Sequence, residues 1–180
     1  MSEHTDLRWT DAVELASPHP YVLATTVDAA GKPNAIGIGW FTIVSWKPAM
    51  VLISVAPPRH SFSNLEQVPE YVINFPAPEQ ARAAWICGTK SGRDLDKFGE
   101  GGLEAVPSIH VRPPTIGGSI MAWECKVVQT VDTGDHRLFI AEIVATRGDP
   151  SRTAHLYSNH YRELVTVDRA AGTITAVDRK

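Results

Sequence analysis

Three residues in the first half of the chain have the types and spacing that suit a bound phosphate. Arg59, Ser61 and Ser63 stand at the start of a short segment, residues 61–68, whose pattern predicts a helix. Proteins bind phosphate with backbone N–H groups at a helix start, with hydroxyl donors and with a guanidinium. The same residues would also suit an ordinary helix cap beside a solvated arginine. The loop alone therefore leaves both interpretations open.

The strand before this loop favours a ligand. Residues 34–45 read as one strand, and Gly37 and Gly39 within it indicate a bulge or a close approach to the backbone. Gly39 would let a flat ring lie against bare backbone, and Thr42 and Ser45 would add polar contacts. Together these residues favour a binding site over a plain helix cap.

The elements that must hold these residues are mostly short strands. Strands are predicted at residues 21–27, 34–45, 50–56, 71–75, 119–132 and 138–147, with a last hairpin at 161–167 and 173–177. Short helices are predicted at residues 9–16, 61–68 and 78–86. The run at 50–56 is almost continuously apolar, which predicts burial on both faces. Because no long helices alternate with the strands, the pattern favours an antiparallel barrel with a few short helices over a doubly wound sheet.

Length and composition are those of one ordinary globular domain. The chain has 180 residues, of which 43% are hydrophobic, and a net charge of −3. It contains no basic run, which is against nucleic-acid binding, and no apolar stretch long enough to span a membrane. The first ten residues lack the order of a secretory signal, so a cytoplasmic location is expected.

The cysteines and histidines predict no metal site. Cys87 and Cys125 lie far apart and form no CxxC motif, which indicates two reduced thiols. Cys125 is expected to pack in the core, whereas Cys87 suits either a packing residue or a redox thiol. His110, His155 and His160 are scattered and lack metal-ligand spacing.

Several motifs follow one another in a fixed order along the chain. They are PHPYVLATT at 18–26, GKPN at 31–34, GWFTIVS at 39–45, VAPPRHSF at 55–62 and YVINFP at 71–76. Further segments at 87–98, 124–125 and 134–143 extend the set to roughly residues 17–148. In this order they resemble the flavin reductase-like family, which includes flavoredoxin and the small reductase components of two-component monooxygenases.

The resemblance implies a mainly β fold, namely an FMN-binding split β-barrel of the Greek-key antiparallel type with a few short helices. Residues 1–180 would form one such domain, with a core at about 17–148 and a divergent tail at 149–180. Members of the family are usually homodimers with the flavin near the subunit interface. The implied cofactor is FMN, with FAD as the alternative, and the implied electron donor is NADH or NADPH.

The resemblance also implies which residues would bind the flavin. The ring would lie against Gly39, Trp40, Phe41 and Thr42; the phosphate end would be held by Ser45, Arg59 and Ser61, with Ser54 and Asn74 close by; and Ser91 and Lys97 would come from the loop that covers the flavin.

Two residues are implied to act in the chemistry. Lys97 would place positive charge near the pyrimidine side of the ring, where it would stabilise the anionic reduced flavin. The alternative is a surface lysine paired with Asp94 or Asp96. His136 would contact the nicotinamide or a substrate, because family members often carry a histidine at this hairpin. The alternative is a hairpin histidine exposed to water.

The tail departs from the family and leaves the electron donor open. Related reductases often end in a glycine- and tyrosine-bearing segment that helps to form the nicotinamide side, whereas residues 157–161 read YSNHY here. The sequence predicts an NAD(P)H-dependent flavin oxidoreductase that serves a monooxygenase or another electron acceptor. The alternatives are a flavoredoxin-type electron carrier without a direct nicotinamide reaction, and a barrel that has lost the cofactor and acts as a binding module.

Overall fold

The computed structural model describes residues 4–177, which are built mainly from antiparallel strands. The strands are β1 (His19–Pro20), β2 (Val22–Val27), β3 (Pro33–Ile38), β4 (Phe41–Trp46), β5 (Ala49–Val55), β6 (Glu70–Phe75), β7 (Ala105–Val106), β8 (Thr115–Ile116), β9 (Met121–Thr133), β10 (His136–Gly148), β11 (Ala154–Asn159), β12 (Glu163–Asp168) and β13 (Thr173–Ala176). The helices are α1 (Trp9–Leu15), α2 (His60–Gln67), α3 (Ala81–Thr89) and α4 (Lys97–Gly101), and a short 3-10 helix at Pro78–Gln80 leads into α3. Within residues 4–177, no helix is long and apolar enough to cross a membrane.

Seven strands form one antiparallel sheet in the order β3-β2-β6-β9-β10-β5-β4. The sheet curls around the main core, as the contacts of Tyr71 show: this β6 side chain reaches across the interior to the far strands. Its buried hydroxyl donates to the carbonyl oxygens of Val51 on β5, at 3.3 Å, and Phe139 on β10, at 3.2 Å. The predicted mainly antiparallel β fold with a few short helices is thus confirmed.

The segment predicted as a single strand at residues 34–45 is two strands. β3 ends at Ile38, Gly39 and Trp40 leave the ladder, and β4 begins at Phe41 on the opposite end of the sheet. Gly37 marks a close approach, as expected, because a Cβ there would lie 1.8 Å from the Tyr21 hydroxyl. Gly39 therefore lies where the chain crosses from one sheet end to the other, while Gly37 still pairs within β3.

The expected burial of both faces at residues 50–56 is wrong. On β5 the side chains of Val51, Ile53 and Val55 are buried, whereas their neighbours Met50 and Leu52 are only partly buried. The continuous apolar run therefore alternates in burial like a strand with one face on the core. No element of residues 4–177 fully covers the other face of β5.

The helices differ from their predicted bounds at their ends. The helix predicted at 78–86 continues through Gly88 to Thr89, and a short helix that the sequence does not predict, α4, follows at Lys97–Gly101. The Asp96 side chain caps α4 by accepting the Phe98 N–H at 3.0 Å, and Gly102 ends it in the left-handed region. This compact turn is what carries Lys97 inward.

The tail forms a second antiparallel sheet in the order β1-β11-β12-β13. Its last hairpin, β12 and β13, lies where the sequence predicts it, although β12 begins at Glu163 rather than at Tyr161. The turn before β12 is fastened to the end of α1 and to the segment that follows it. The His160 N–H donates to the Ser17 hydroxyl at 2.9 Å, and the His160 ring lies 2.9 Å from the Glu14 carbonyl oxygen.

Candidate functional site

Two cavities adjoin each other beside the start of α2. The first, which we call the loop cavity, has a volume of about 270 Å³; it is lined by Asn34, Ile36, Pro58, Arg59, His60, Ser61, residues 87–92, Asp94 and Lys97. The second, the strand cavity, has a volume of about 340 Å³ and is lined by residues 36–40, residues 54–56, Arg59, Gly88, His136 and Tyr161. Arg59 borders both cavities, so this residue stands where they meet.

The start of α2 forms the polar wall of the loop cavity. Arg59 is the residue before the first helical turn, and no side chain caps this helix end. Ser61 is buried, and its Oγ accepts hydrogen bonds from Asn34 Nδ2 at 2.7 Å and from the Thr26 hydroxyl at 3.4 Å. Both bonds use Ser61 as the acceptor, so its own O–H remains available to a ligand. The simple-cap interpretation of this loop is therefore wrong for Ser61.

Lys97 is held inside the loop cavity rather than on the surface. Its side chain is only 4% exposed, and Nζ donates to the carbonyl oxygens of Ala35 and Cys87, each at 2.8 Å. The surface-lysine alternative is therefore wrong. Burial lowers the pKa of Lys97, and the nearby Arg59 lowers it further. The lysine lines the same cavity as Arg59 and Ser61, which is the expected phosphate end, and not the strand cavity.

A further loop folds over the loop cavity. Arg93 Nη1 donates to the Pro58 carbonyl oxygen at 2.8 Å, which ties residues 91–94 to the segment before α2. Gly92 allows this packing, because a Cβ there would lie 2.0 Å from Asn34 Oδ1. Ser91 lines the cavity within the same loop.

Aromatic side chains line the strand cavity. The rings of Trp40 and His136 lie 4.8 Å apart, centre to centre, and the Trp40 indole N–H donates to the Tyr161 hydroxyl at 2.9 Å. His136 Nδ1 lies 2.7 Å from an oxygen of Asp135, its neighbour in the hairpin turn. A Cβ on Gly39 would meet Tyr161 only at 3.6 Å, so the backbone there is open. The His136 side chain is 23% exposed, so it is partly buried but still reaches water.

Tyr161 is a residue that sequence reasoning missed. It belongs to the tail, and its backbone lies in the left-handed region with φ +54°. That conformation is uncommon for a residue other than glycine, and here it turns the ring toward Trp40. No spacing in the sequence distinguishes Tyr161 from the other tail tyrosine, Tyr157.

Four of the predicted flavin contacts line neither cavity. Asn74 is fully buried in the core: its amide donates to the Leu23 and Val72 carbonyl oxygens, both at 3.2 Å, and accepts the Ile116 N–H at 2.8 Å. The Asn74 side chain therefore uses its hydrogen bonds to link neighbouring strands rather than to bind a ligand. The other three, Phe41, Thr42 and Ser45, lie on β4 beyond the crossing, where Phe41 pairs with Ile53 of β5. Ser63 also stands outside both cavities.

The cysteines are buried thiols. Cys87 borders the loop cavity, and burial raises its pKa to about 11, so the thiol stays protonated near neutral pH. Cys125 is fully buried in the main core, which confirms its predicted place. Among the described residues, no cluster of three or more His, Cys, Asp or Glu side chains suits a metal ion.

Comparison with known proteins identifies the family. Residues 15–165 match the model of the flavin reductase like domain. The chain is 37% identical over 114 residues to an uncharacterized protein of Pyrococcus abyssi, a match that covers 63% of this chain and 65% of that protein, just under two thirds of its length. It is 26% identical to the NADH:riboflavin 5'-phosphate oxidoreductase of Streptomyces pristinaespiralis, over 80% of this chain and 78% of the relative.

The fold agrees with a solved structure of the same type. Flavoredoxin of Desulfovibrio vulgaris superimposes with a TM-score of 0.76 and 27% identity, covering 99% of this chain and 94% of that one. The predicted split-barrel fold is confirmed by this likeness together with that to a flavin reductase with a split barrel domain from Shewanella frigidimarina, which has a TM-score of 0.80 at 19% identity, over 89% of this chain and 87% of that one. The chain belongs to the flavin reductase-like family.

Proposed function

We propose that this protein is an FMN-binding oxidoreductase that transfers hydride from NADH or NADPH to the flavin. The observation that carries the proposal is the pair of adjoining cavities, one polar and cationic and one aromatic, that meet at Arg59. A flavin mononucleotide has the same division into a phosphate end and a flat ring.

The loop cavity fits a phosphate. Its donors are the Arg59 guanidinium, the Ser61 O–H and the Lys97 ammonium group, whose two carbonyl contacts leave one N–H unused. The lowered pKa of Lys97 shows that burial disfavours its charged form. A phosphate beside the ammonium group would favour that charged form and would itself be attracted to it. We assign the phosphate end to this cavity.

The strand cavity fits the flavin ring. Gly39 offers open backbone, Trp40 offers an aromatic face, and Ser54 borders the cavity from β5. When bound there, the flavin supplies the redox chemistry by accepting hydride at its ring and passing electrons on. The chain would position the ring by the Trp40–Tyr161 hydrogen bond, and His136 would contact the nicotinamide from the hairpin turn.

We also propose that the working form is a homodimer. β4 is an end strand of the sheet, and its Ile43, Val44 and Trp46 side chains are exposed, with Trp46 at 88%. An exposed apolar end strand is a surface that soluble proteins usually cover. A second copy of the chain on β4 would also bring apolar surface near the strand cavity. The acceptor of the electrons would be a monooxygenase or another protein.

The test is the visible spectrum of the purified protein after it is soaked in FMN and desalted, then treated with NADH and NADPH without oxygen. Retained flavin bands that bleach with one nucleotide are expected and would identify the donor. Retained bands that bleach only with dithionite would instead point to an electron carrier. If no flavin is retained, turnover with free FMN and nucleotide must still be seen, and its absence would refute the proposed reaction.

The phosphate assignment has its own variants. Replacing Arg59 and Ser61 together by alanine removes two charge-assisted contacts of about 1.5–3 kcal/mol each, so FMN affinity should fall by at least about 100-fold. The matched control replaces Arg82 and Ser63, which border neither cavity, by alanine. Equal FMN affinity in the two folded double variants would place the phosphate elsewhere.

A further inference from the structure

A third cavity lies apart from the two that we assign to the flavin. It has a volume of about 370 Å³, and none of its lining residues borders either of the other cavities. It opens between the start of β9 and the end of β10, where Met121 pairs with Gly148, so it is at the opposite end of this hairpin from His136. A cavity of this volume is large enough for a small organic ligand. We call it the arginine cavity.

The floor of the arginine cavity is apolar and partly aromatic. Phe75 and Ile120 belong to the main core, and both are nearly buried residues that line the cavity. Met121 lies beside them. The His155 ring forms part of the wall, 6.1 Å from the Phe75 ring between centres. Burial lowers the pKa of His155, so this ring is neutral near pH 7. Such a floor suits a flat apolar body.

Of the residues that the structure describes, three arginines line the rim, in a chain whose net charge is −3. Two of them already have carboxylate partners outside the cavity: Arg147 pairs with the buried Glu124, and Arg152 with Glu79 at 2.7 Å. Arg169 is different, because its side chain makes no hydrogen bond or ion pair with any residue of the part of the chain that the structure describes.

Asp149, the one acid among the described residues that line this cavity, does not neutralise Arg169. Asp149 accepts the Ser151 N–H at 2.9 Å and also the Ser151 hydroxyl, and the positive charge that lowers its pKa is that of Arg152. One guanidinium therefore remains for a ligand, while Asp149 would repel a ligand of higher negative charge. A monoanion fits this balance better than a phosphate dianion does.

We propose that the arginine cavity binds a small carboxylic acid with a flat apolar body, of the benzoate class. The carboxylate would pair with the Arg169 guanidinium, whose planar fork matches two carboxylate oxygens. The ring would lie on the floor formed by Phe75 and Ile120. This site is separate from the flavin site and does not depend on the reaction that the protein catalyses.

The probe is benzoate, with benzamide as its neutral analogue, and binding is followed by isothermal titration and by ligand-observed NMR on the full chain. We expect saturable benzoate binding in the wild type, binding of benzamide that is at least about tenfold weaker, and no competition from FMN. The Arg169→Gln variant should lose at least about tenfold in benzoate affinity, while Arg82→Gln, at an exposed position outside the lining of this cavity, should keep it.

Other outcomes would overturn the proposal. Equal affinity in Arg169→Gln and Arg82→Gln would show that Arg169 does not hold the carboxylate, and displacement by FMN would place benzoate in the flavin site. A benzoate affinity that falls as the protein concentration rises and the protein dimerises would show that a second copy covers the cavity instead. A second variant, Ile120→Trp, fills the floor, and it should abolish benzoate binding with FMN retention unchanged.

Discussion

The Trp40 indole N–H and the Tyr161 hydroxyl meet at 2.9 Å across 121 positions of sequence. This hydrogen bond joins the crossing between β3 and β4 to the turn before β12, so two distant segments close the same side of the strand cavity. The His160 ring in this turn also contacts the Glu14 carbonyl oxygen of α1. The tail thus supplies a wall of the candidate site.

Replacing Tyr161 by phenylalanine should loosen Trp40 without removing the ring that borders Gly39. Because the bond is partly exposed, we expect a loss of about 1 kcal/mol or less in the free energy of unfolding, and FMN affinity weaker by up to roughly fivefold. Urea unfolding and flavin titration measure the two effects. Tyr157→Phe, which changes a tail tyrosine outside the strand cavity, should leave flavin affinity at the wild-type value; an equal drop in both variants would argue against the Trp40–Tyr161 bond.

The close packing of Tyr21 against two glycines gives a second prediction. A Cβ at Gly88 would lie 2.2 Å from the Tyr21 hydroxyl, while the next nearest atom, the ring carbon that carries it, is 3.4 Å away. Gly88→Ala should therefore cost about 1–3 kcal/mol in the free energy of unfolding, and Tyr21→Phe should recover most of that loss in the double variant. At Gly37 the same ring carbon is 2.5 Å away and the Gly88 Cα 2.9 Å, so Tyr21→Phe should not rescue Gly37→Ala. Equal rescue at both glycines, measured by urea unfolding, would contradict this packing.

The exposed apolar strand β4 predicts the oligomeric state. Trp46→Glu puts a charge in the surface that we assign to the second copy, so it should shift the protein from dimer to monomer in sedimentation experiments. Trp9→Glu is the matched control, because Trp9 is also largely exposed, at 77%, but lies on α1. A wild type that sediments as a monomer over the whole concentration range would refute the homodimer itself.

Sequence reasoning located the elements better than it located the site. Alternating strands and the turn at Gly134 are local patterns, so the β9–β10 hairpin and the last hairpin fall close to their predicted residues. The crossing at Gly39 was missed, because nothing in the residue types of 34–45 shows that the strand leaves one end of the sheet for the other. The sequence places Thr42 and Ser45 beside the flavin because it predicts that they continue the same strand as Gly39. Their place depends on which end of the sheet β4 joins.

The polar site residues divide along a similar line. Arg59 and Ser61 were identified because a helix start has a local signature, and the structure places both in one cavity. Lys97 is buried by the tertiary packing of α4 against Ala35 and Cys87, and no sequence pattern distinguishes it from a surface lysine. Asn74 was expected near the flavin but satisfies strand carbonyls, a role that an asparagine inside a buried strand does not reveal in advance.

The last prediction concerns pH and His60, which lines the loop cavity at the start of α2. Burial lowers the pKa of His60 from 6.5, and the positive charges of Arg93 and Lys97 lower it further. The unfolded chain therefore binds the proton more readily than the folded chain, so His60 reduces stability as the pH falls from about 6.5 toward its folded pKa. In His60→Gln this loss is absent. As the pH falls from 7.5 to 5, the free energy of unfolding of the variant should therefore rise relative to that of the wild type. Urea unfolding at both pH values measures the difference, and a bound phosphate should reduce it, because an anion beside His60 raises its pKa. A difference between the two proteins that stays constant with pH would mean that His60 titrates as it does in the unfolded chain.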